Sequence, residues 1–308
     1  MKKTKHRANH RLWKPSVLTV AIVILGLAGT VAGLYPSTAA WFSSYNQSKV
    51  ISTYEEQLDQ VTPSIVDQRK MAHAYNKALT AGVNLDKNAN VPTGNGSSSR
   101  SELDYSKILR ANSEGMMGRI QIPGIEVDLP IYHGTSNAVL DKGAGHLEGS
   151  HLPVGGKGTR SVITAHRGLA NATMFTNLDR VKVGDLVNVE VFGEILSYAV
   201  TETKVIDPED TETLRADPTR DLVSLITCTP LGINTQRIVV TAERVTPTPP
   251  EVLEAQGQKP TIPGFPWWIV TGTAATGLVG WYLVRQGFVD ARTKRKPVTK
   301  VKESADVV

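Results

Sequence analysis

One cysteine, Cys228, occurs in the 308 residues, and it closes an apolar run, Leu222-Val223-Ser224-Leu225-Ile226-Thr227. Arg237 opens a second run, Ile238-Val239-Val240-Thr241-Ala242, and His166 closes a third, Ser161-Val162-Ile163-Thr164-Ala165. Three strand ends therefore carry a thiol, an imidazole and a guanidinium, a set suited to nucleophilic catalysis. A thiol of ordinary pKa, about 8.5, needs either a lowered pKa or an adjacent base to attack, and imidazole supplies both routes. The oxyanion of an acyl-transfer intermediate needs a fixed donor, and a guanidinium keeps its charge while presenting two N–H groups to one oxygen. The stretch 229–236 is short enough to turn the chain back and bring Arg237 towards Cys228. Each residue also has a plainer reading. Cys228 fits a buried small hydrophobe, His166-Arg167-Gly168 a surface turn, and Arg237 a solvated strand-edge charge. His133, His146 and His151 compete with His166 as bases. No cysteine pair or close histidine pair has metal-ligand spacing.

These elements need an anchor, and the two ends of the chain provide it. Residues 1–15 hold six cations (Lys2, Lys3, Lys5, Arg7, Arg11, Lys14) and no acid, and residues 16–34 follow without a charge. That is the length of a transmembrane helix. A cleavable signal peptide, with Ser37-Thr38-Ala39-Ala40 as the cut site, is the alternative. A second uncharged stretch, 267–284, has Trp267, Trp268, Trp281 and Tyr282 at its ends, as in an interfacial aromatic belt. Behind it, seven cations (Arg285, Arg292, Lys294, Arg295, Lys296, Lys300, Lys302) outnumber Asp290, Glu303 and Asp306. The positive-inside rule puts both basic ends in the cytoplasm and residues 43–266 outside. Of the net charge of +5, the flanks carry +6 and +4, which leaves −5 for the outside portion. The basic pI thus reports topology, and nucleic-acid binding drops out. A solitary cysteine in an exported domain cannot pair within its chain, so it is either buried or reactive.

Between the anchors, residues 43–80 read as two short amphipathic helices. Val50, Tyr54, Leu58 and Val61 recur at helical spacing, Pro63 breaks the pattern, and Ile65, Ala72, Tyr75 and Leu79 resume it. They either pack on the catalytic domain or form a stalk. Residues 81–101 read as a flexible Gly/Ser/Asn loop. From 105 to 245 the pattern turns to short strands: 117–122, 127–129, 161–164, 186–191, 195–205, 222–227 and 237–244, punctuated by Gly and Pro. About 140 residues of this kind suit one β-barrel or sandwich, with helix confined to connections such as 172–178. The Pro-rich stretch after 245 reads as an extended spacer.

The motifs around these residues resemble a known family. Leu225-Ile226-Thr227-Cys228-Thr229-Pro230 with Gly232-Ile233-Asn234-Thr235-Gln236-Arg237 is similar to the active-site signature of sortases. Ile120-Gln121-Ile122-Pro123, Leu129-Pro130-Ile131-Tyr132-His133-Gly134-Thr135, Gly145-His146-Leu147-Glu148-Gly149-Ser150, Leu152-Pro153-Val154-Gly155-Gly156 and Thr164-Ala165-His166-Arg167-Gly168-Leu169 extend the likeness to the pilus-building class C. It covers roughly 105–245.

The resemblance implies a mainly β fold: a closed sortase-type barrel with short connecting helices, preceded by N-terminal helices and flanked by two transmembrane segments. The expected organisation is a basic cytoplasmic terminus (1–15), a transmembrane helix or signal anchor (16–34), a helical and flexible lid or stalk region (43–104), the catalytic barrel (105–245), a Pro-rich spacer (246–266), a transmembrane helix (267–284) and a basic cytoplasmic tail (285–308). The implied enzyme is a cysteine transpeptidase of the Gram-positive plasma membrane, its catalytic domain extracellular. Cys228 would be the nucleophile, His166 the general acid/base and Arg237 the oxyanion or substrate-positioning residue. The implied substrate is a pilin or surface protein with an LPxTG-like sorting signal, cut between Thr and Gly and passed to a pilin lysine. A cell-wall precursor amine is the alternative acceptor. No metal or organic cofactor is implied. Two departures stand out. Ser224 replaces the usual Thr, and no Asp-Pro-aromatic lid motif occurs between 43 and 110, where Asp86 and Asp104-Tyr105 are the nearest substitutes. Three other readings remain at this point: wall attachment of surface proteins, a cysteine hydrolase, and a non-catalytic adhesion domain with a buried thiol.

Overall fold

The structure is a computed structural model and describes residues 13–80, 83–84, 93–94, 97–98, 104–260 and 263–293. It divides into two compact units, residues 1–38 with 265–308, and residues 39–264.

The larger unit is built on a closed barrel of eight strands: β1 (Met116–Ile122), β2 (Val127–His133), β3 (Ala144–His146), β4 (Thr159–Thr164), β5 (Leu186–Val191), β6 (Glu194–Ile206), β7 (Asp221–Thr229) and β8 (Gln236–Arg244). Around the barrel they run β6-β8-β7-β4-β3-β2-β1-β5, and the β5–β6 hairpin closes the ring. Closure leaves no unpaired strand edge. The pairs β4/β7 and β2/β3 are parallel and the others antiparallel. Seven of these strands fall where the sequence pattern predicts them. The eighth, β3, has three residues, too few to show a period of two.

Alternation along β7 and β8 sorts side chains to the two faces of the sheet. Val223, Leu225, Ile238, Val240 and Ala242 join the main core with Ile120, Ile131, Ile163 and Val189. Ile226 and Val239 face the other way and join Leu147, Val162, Ile206 and Leu214 in a second cluster. Both faces of β7 are therefore buried, which is why its sequence reads as a continuous apolar run rather than an alternating one.

Three helices precede the barrel: α1 (Val17–Ser52), α2 (Tyr54–Leu58) and α3 (Ile65–Ala78). No break in the helix separates residue 34 from residue 43, although the division between the two units falls between them. Helix α1 runs continuously and carries Pro36 inside it. Helix α3 starts at Ser64, whose hydroxyl accepts from the Asp67 amide at 3.3 Å. The choice between packing and a stalk resolves to packing. Tyr54, Leu58, Ala72 and Tyr75 are buried in the barrel core, with Val50, Val61, Ile65 and Leu79 against it. The Tyr54 hydroxyl donates to the Met117 carbonyl at 3.0 Å and accepts from the Phe192 amide at 2.9 Å. Most of the expected 81–101 loop lies outside the described residues. The described parts form two short antiparallel pairs, Leu79–Thr80 with Ser97–Ser98 and Val83–Asn84 with Thr93–Gly94.

Two other expectations are corrected. Residues 172–178 form turns followed by a single 3-10 turn, Leu178–Arg180, because Ala172, Met174, Phe175 and Leu178 are all drawn into the core. The Pro-rich stretch is not a plain extended spacer. It contains α5 (Pro250–Glu254), and residues beyond it return to the barrel. There the Gly257 amide donates to Glu190 at 3.0 Å and Arg119 donates to the Gln258 carbonyl at 2.7 Å.

The smaller unit pairs the first part of α1 with α6 (Trp267–Thr293). Asp290 accepts from the Ser16 amide at 2.7 Å and the Thr19 hydroxyl at 2.6 Å. Among the described residues only α1 is long and apolar enough to cross a membrane by length and composition.

Candidate active site

The register of the last two strands places Cys228 directly opposite Arg237. Paired Cα atoms in such a ladder are about 4.5–5.5 Å apart, with both side chains on one face. That face is the outer one, shared with Ile226 and Val239. The link between the strands, residues 230–235, turns within itself through Ile233 and Asn234 amides donating to the Pro230 carbonyl at 3.2 and 2.9 Å. Arg237 is fully buried. Its Nη1 donates to the carbonyls of Asn234 at 2.9 Å and Gln236 at 3.0 Å, which aims the guanidinium along its own turn.

His166 arrives from β4. The parallel register pairs Thr164 with Ile226, and the Ala165 amide extends the ladder to the Ile226 carbonyl at 3.3 Å. Crossed side-chain bonds pin the same point: Thr164 Oγ1 donates to the Ile226 carbonyl at 3.0 Å and Thr227 Oγ1 to the Ala165 carbonyl at 2.8 Å. His166 and Cys228 are thus each two residues beyond a paired position, on neighbouring strands leaving the barrel at one rim. The His166 carbonyl is held by the Phe175 amide at 3.0 Å, and Phe175 is fully buried. Gly168 follows at a positive φ of 72°, with Leu231 lying where a β-carbon would go. Only glycine suits both conditions.

Burial pushes the Cys228 thiol above its ordinary pKa, and the nearby Arg237 charge works against that rise. Burial lowers the His166 pKa, and Asp141, whose Oδ1 lies 3.8 Å from Nε2, works against that fall. Both shifts favour the neutral thiol and the neutral imidazole over their charged forms. Asp141 caps the short helix α4 (Asn137–Leu140 in the chain between β2 and β3), and nothing in the sequence around it marks it.

The competing histidines are placed elsewhere in the wall. His146 is fully buried, its ring against the Tyr105 hydroxyl at 3.0 Å and the His151 carbonyl at 2.8 Å, and burial lowers its pKa to about 3. His133 has its two ring nitrogens on the Gly115 and Ile108 carbonyls at 2.9 and 2.7 Å. His151 Nδ1 accepts from the Arg160 amide at 3.4 Å. Tyr105, from the Asp104-Tyr105 pair, is buried between the rings of His133 and His146. It is a wall residue, which removes it as a lid side chain. Asp86 lies outside the described residues. Among the described residues no group of three or more His, Cys, Asp or Glu converges as a metal site.

A closed eight-stranded barrel with a lone thiol facing an arginine across a strand pair, and an imidazole on the parallel neighbour, defines a narrow structural class. Comparison with known proteins agrees with it. A sortase-domain model matches residues 120–245. Sortase A of Streptococcus agalactiae serotype III is 30% identical over 166 residues, which is 52% of this chain and 66% of that relative. The chain thus spans just under two thirds of this curated relative's length. Among solved structures, sortase C of Streptococcus pneumoniae, described for its catalysis and pilin substrate specificity, is 34% identical with a TM-score of 0.56. That match covers 66% of this chain and 99% of the other. Sortase C-1 of Actinomyces oris is 43% identical with a TM-score of 0.52, over 59% of this chain and 99% of the other. The chain belongs to the sortase family, a family of cysteine transpeptidases.

Proposed function

We propose that this chain is a membrane-anchored transpeptidase that polymerises pilins through an acyl-enzyme on Cys228. The observation that carries the reading is the register: Cys228 opposite Arg237, and His166 on the parallel neighbour at the same rim. The Cys228 sulfur attacks the threonine carbonyl of an LPxTG-like signal, with its proton passing to His166. The C–S bond forms, Arg237 meets the developing oxyanion, and the Thr–Gly C–N bond breaks as His166 returns the proton to the glycine amine. A pilin lysine amine then attacks the thioester and gives a proton to His166, and the thiol is released as an isopeptide bond forms. A bias towards the neutral pair suits this order, because proton transfer coincides with substrate arrival. Anchoring by α1 is supported by its length and apolar character. A second span by α6, with the basic ends in the cytoplasm and the barrel outside, follows from the charge pattern. The solved neighbour described for pilin substrate specificity supports the choice of a pilin as substrate.

The test is incubation of the full-length protein with a sorting-signal pilin, followed by mass mapping of Cys228. A thioester on Cys228 and a ladder of lysine-linked pilins are expected, and Cys228→Ala should give neither while keeping the wild-type fold. Single-size products joined only to wall precursor would replace polymerisation with wall attachment. Release to water despite abundant amine would make the enzyme a hydrolase.

A further inference from the structure

Arg167, read in the sequence as part of a surface turn, is not on the surface. Its side chain is 9% exposed, and three of its nitrogens are engaged. Nη1 donates to Thr229 Oγ1 at 2.9 Å, Nη2 meets Asp179 Oδ2 at 2.9 Å, and Nε donates to the Thr176 carbonyl at 3.2 Å. Arg167 directly follows His166, and Thr229 directly follows Cys228. The bond between them therefore joins the two chains one residue beyond each reacting side chain.

The strand ladder does not reach this point. The last parallel pair is Thr164 with Ile226, extended only by the Ala165 amide. Past it the β4 chain turns away, and its return is closed by Phe175 onto the His166 carbonyl and by the Gly168 amide onto Thr176 Oγ1 at 3.1 Å. Without a further tie, the segment bearing the imidazole and the strand bearing the thiol could separate about this end of the ladder. The Arg167 guanidinium spans that gap and also fixes the returning loop through Thr176 and Asp179.

We propose that Arg167 is a positioning residue that sets the separation of His166 and Cys228 through Thr229. The inference rests on these two being the reacting pair. The three nitrogens of the planar fork reach three separated partners at once, which the single ammonium of a lysine cannot. Misplacement of a reacting group by about 1 Å costs on the order of 10²-fold in rate, so loss of this tie reads out in turnover rather than in substrate binding.

The experiment uses the full-length protein and a sorting-signal peptide, comparing wild type with R167Q, R167K, T229V, T229S and the R167Q/T229V double variant. Thioester formation is timed over a range of peptide concentrations up to saturation, below each variant's Tm. R167Q should lower kcat about 10- to 100-fold, by the same positional argument, with KM nearly unchanged. R167K should fall between R167Q and wild type. T229V should lose activity that T229S regains, since serine keeps the hydroxyl. The double variant should be no slower than R167Q, because both substitutions remove one bond. Losses that multiply in the double variant, a raised KM with unchanged kcat, or wild-type turnover in T229V would each overturn the proposal. T229V keeps the question answerable if R167Q does not fold. Absence of any thioester in the wild type would fail the catalytic assignment itself, and this inference with it.

Discussion

Replacing Asp141 by Asn tests the electrostatics of the pair directly. Burial holds the Cys228 thiol above, and the His166 imidazole below, their ordinary values of about 8.5 and 6.5. Both directions disfavour the thiolate–imidazolium pair, which leaves it the minor form. If that minor form attacks, its population scales the rate. Asp141 stabilises it from 3.8 Å through a carboxylate that is 66% exposed. At that distance and water-like screening the attraction is about 1 kcal/mol, a factor of about five in population. Side-chain motion and salt reduce it, so kcat/KM at the optimum should fall about two- to fivefold in D141N. Loss of the anion disfavours the charged imidazole, so the acid limb of the pH profile should move to lower pH while the alkaline limb stays. The assay is kcat/KM on a fluorogenic sorting-signal peptide across both limbs, at low salt and at about 0.5 M, where screening should close the gap to wild type. An acid limb that moves upward refutes the sign of the argument. A loss of 10²-fold or more, insensitive to salt, refutes its electrostatic basis, since it would make Asp141 an orienting group.

Other consequences follow from individual contacts. Arg237→Lys keeps a charge but loses the fork that is held by Asn234 and Gln236, so kcat should fall about 10²- to 10³-fold, the loss typical of an oxyanion donor. Wild-type turnover in single-cycle kinetics would leave Arg237 a structural residue. Tyr105→Phe removes a hydroxyl that donates to the His146 carbonyl and accepts from the Gly134 amide, both at 3.0 Å. Leaving those buried groups unmatched should cost about 1–3 kcal/mol, visible as a lower urea midpoint at unchanged slope. Gly118→Ala would set a β-carbon against the Glu190 carbonyl and Val191 on the neighbouring strand. Overpacking of this sort costs about 1–3 kcal/mol, and differential scanning calorimetry should show a lower Tm with the catalytic rim unaffected.

Much of the site is legible in the sequence because it lies on local structure. Arg237 and Cys228 flank an eight-residue stretch between two apolar runs, and a tight antiparallel return can bring such ends together. The apolar helical positions at Tyr54, Leu58, Ala72 and Tyr75 also announce a buried face, and all four are buried. The elements that escape are those without a period or a local partner. Strand β3 is too short to alternate, and α1 continues through Pro36 where composition suggested a boundary. Asp141 and Arg167 look like ordinary surface charges until the fold brings His166 to one and Thr229 to the other.

By itself, then, the sequence determined the chemistry available at each strand end and a return short enough to bring thiol and guanidinium near each other. The register that sets Cys228 opposite Arg237 came from the strand pairing. Only the tertiary structure decided that His166 lies two residues beyond the last pairing of the strand beside that of Cys228, while His133, His146 and His151 are engaged elsewhere in the wall. The reason is the parallel pairing of β4 with β7 across 62 positions of chain. Its register depends on burial of both faces of β7 between the barrel core and the Ile226 cluster. A shift of one residue would turn Val223 and Leu225 out of the core, so long-range packing, which no local pattern encodes, sets the register between the segments that carry His166 and Cys228.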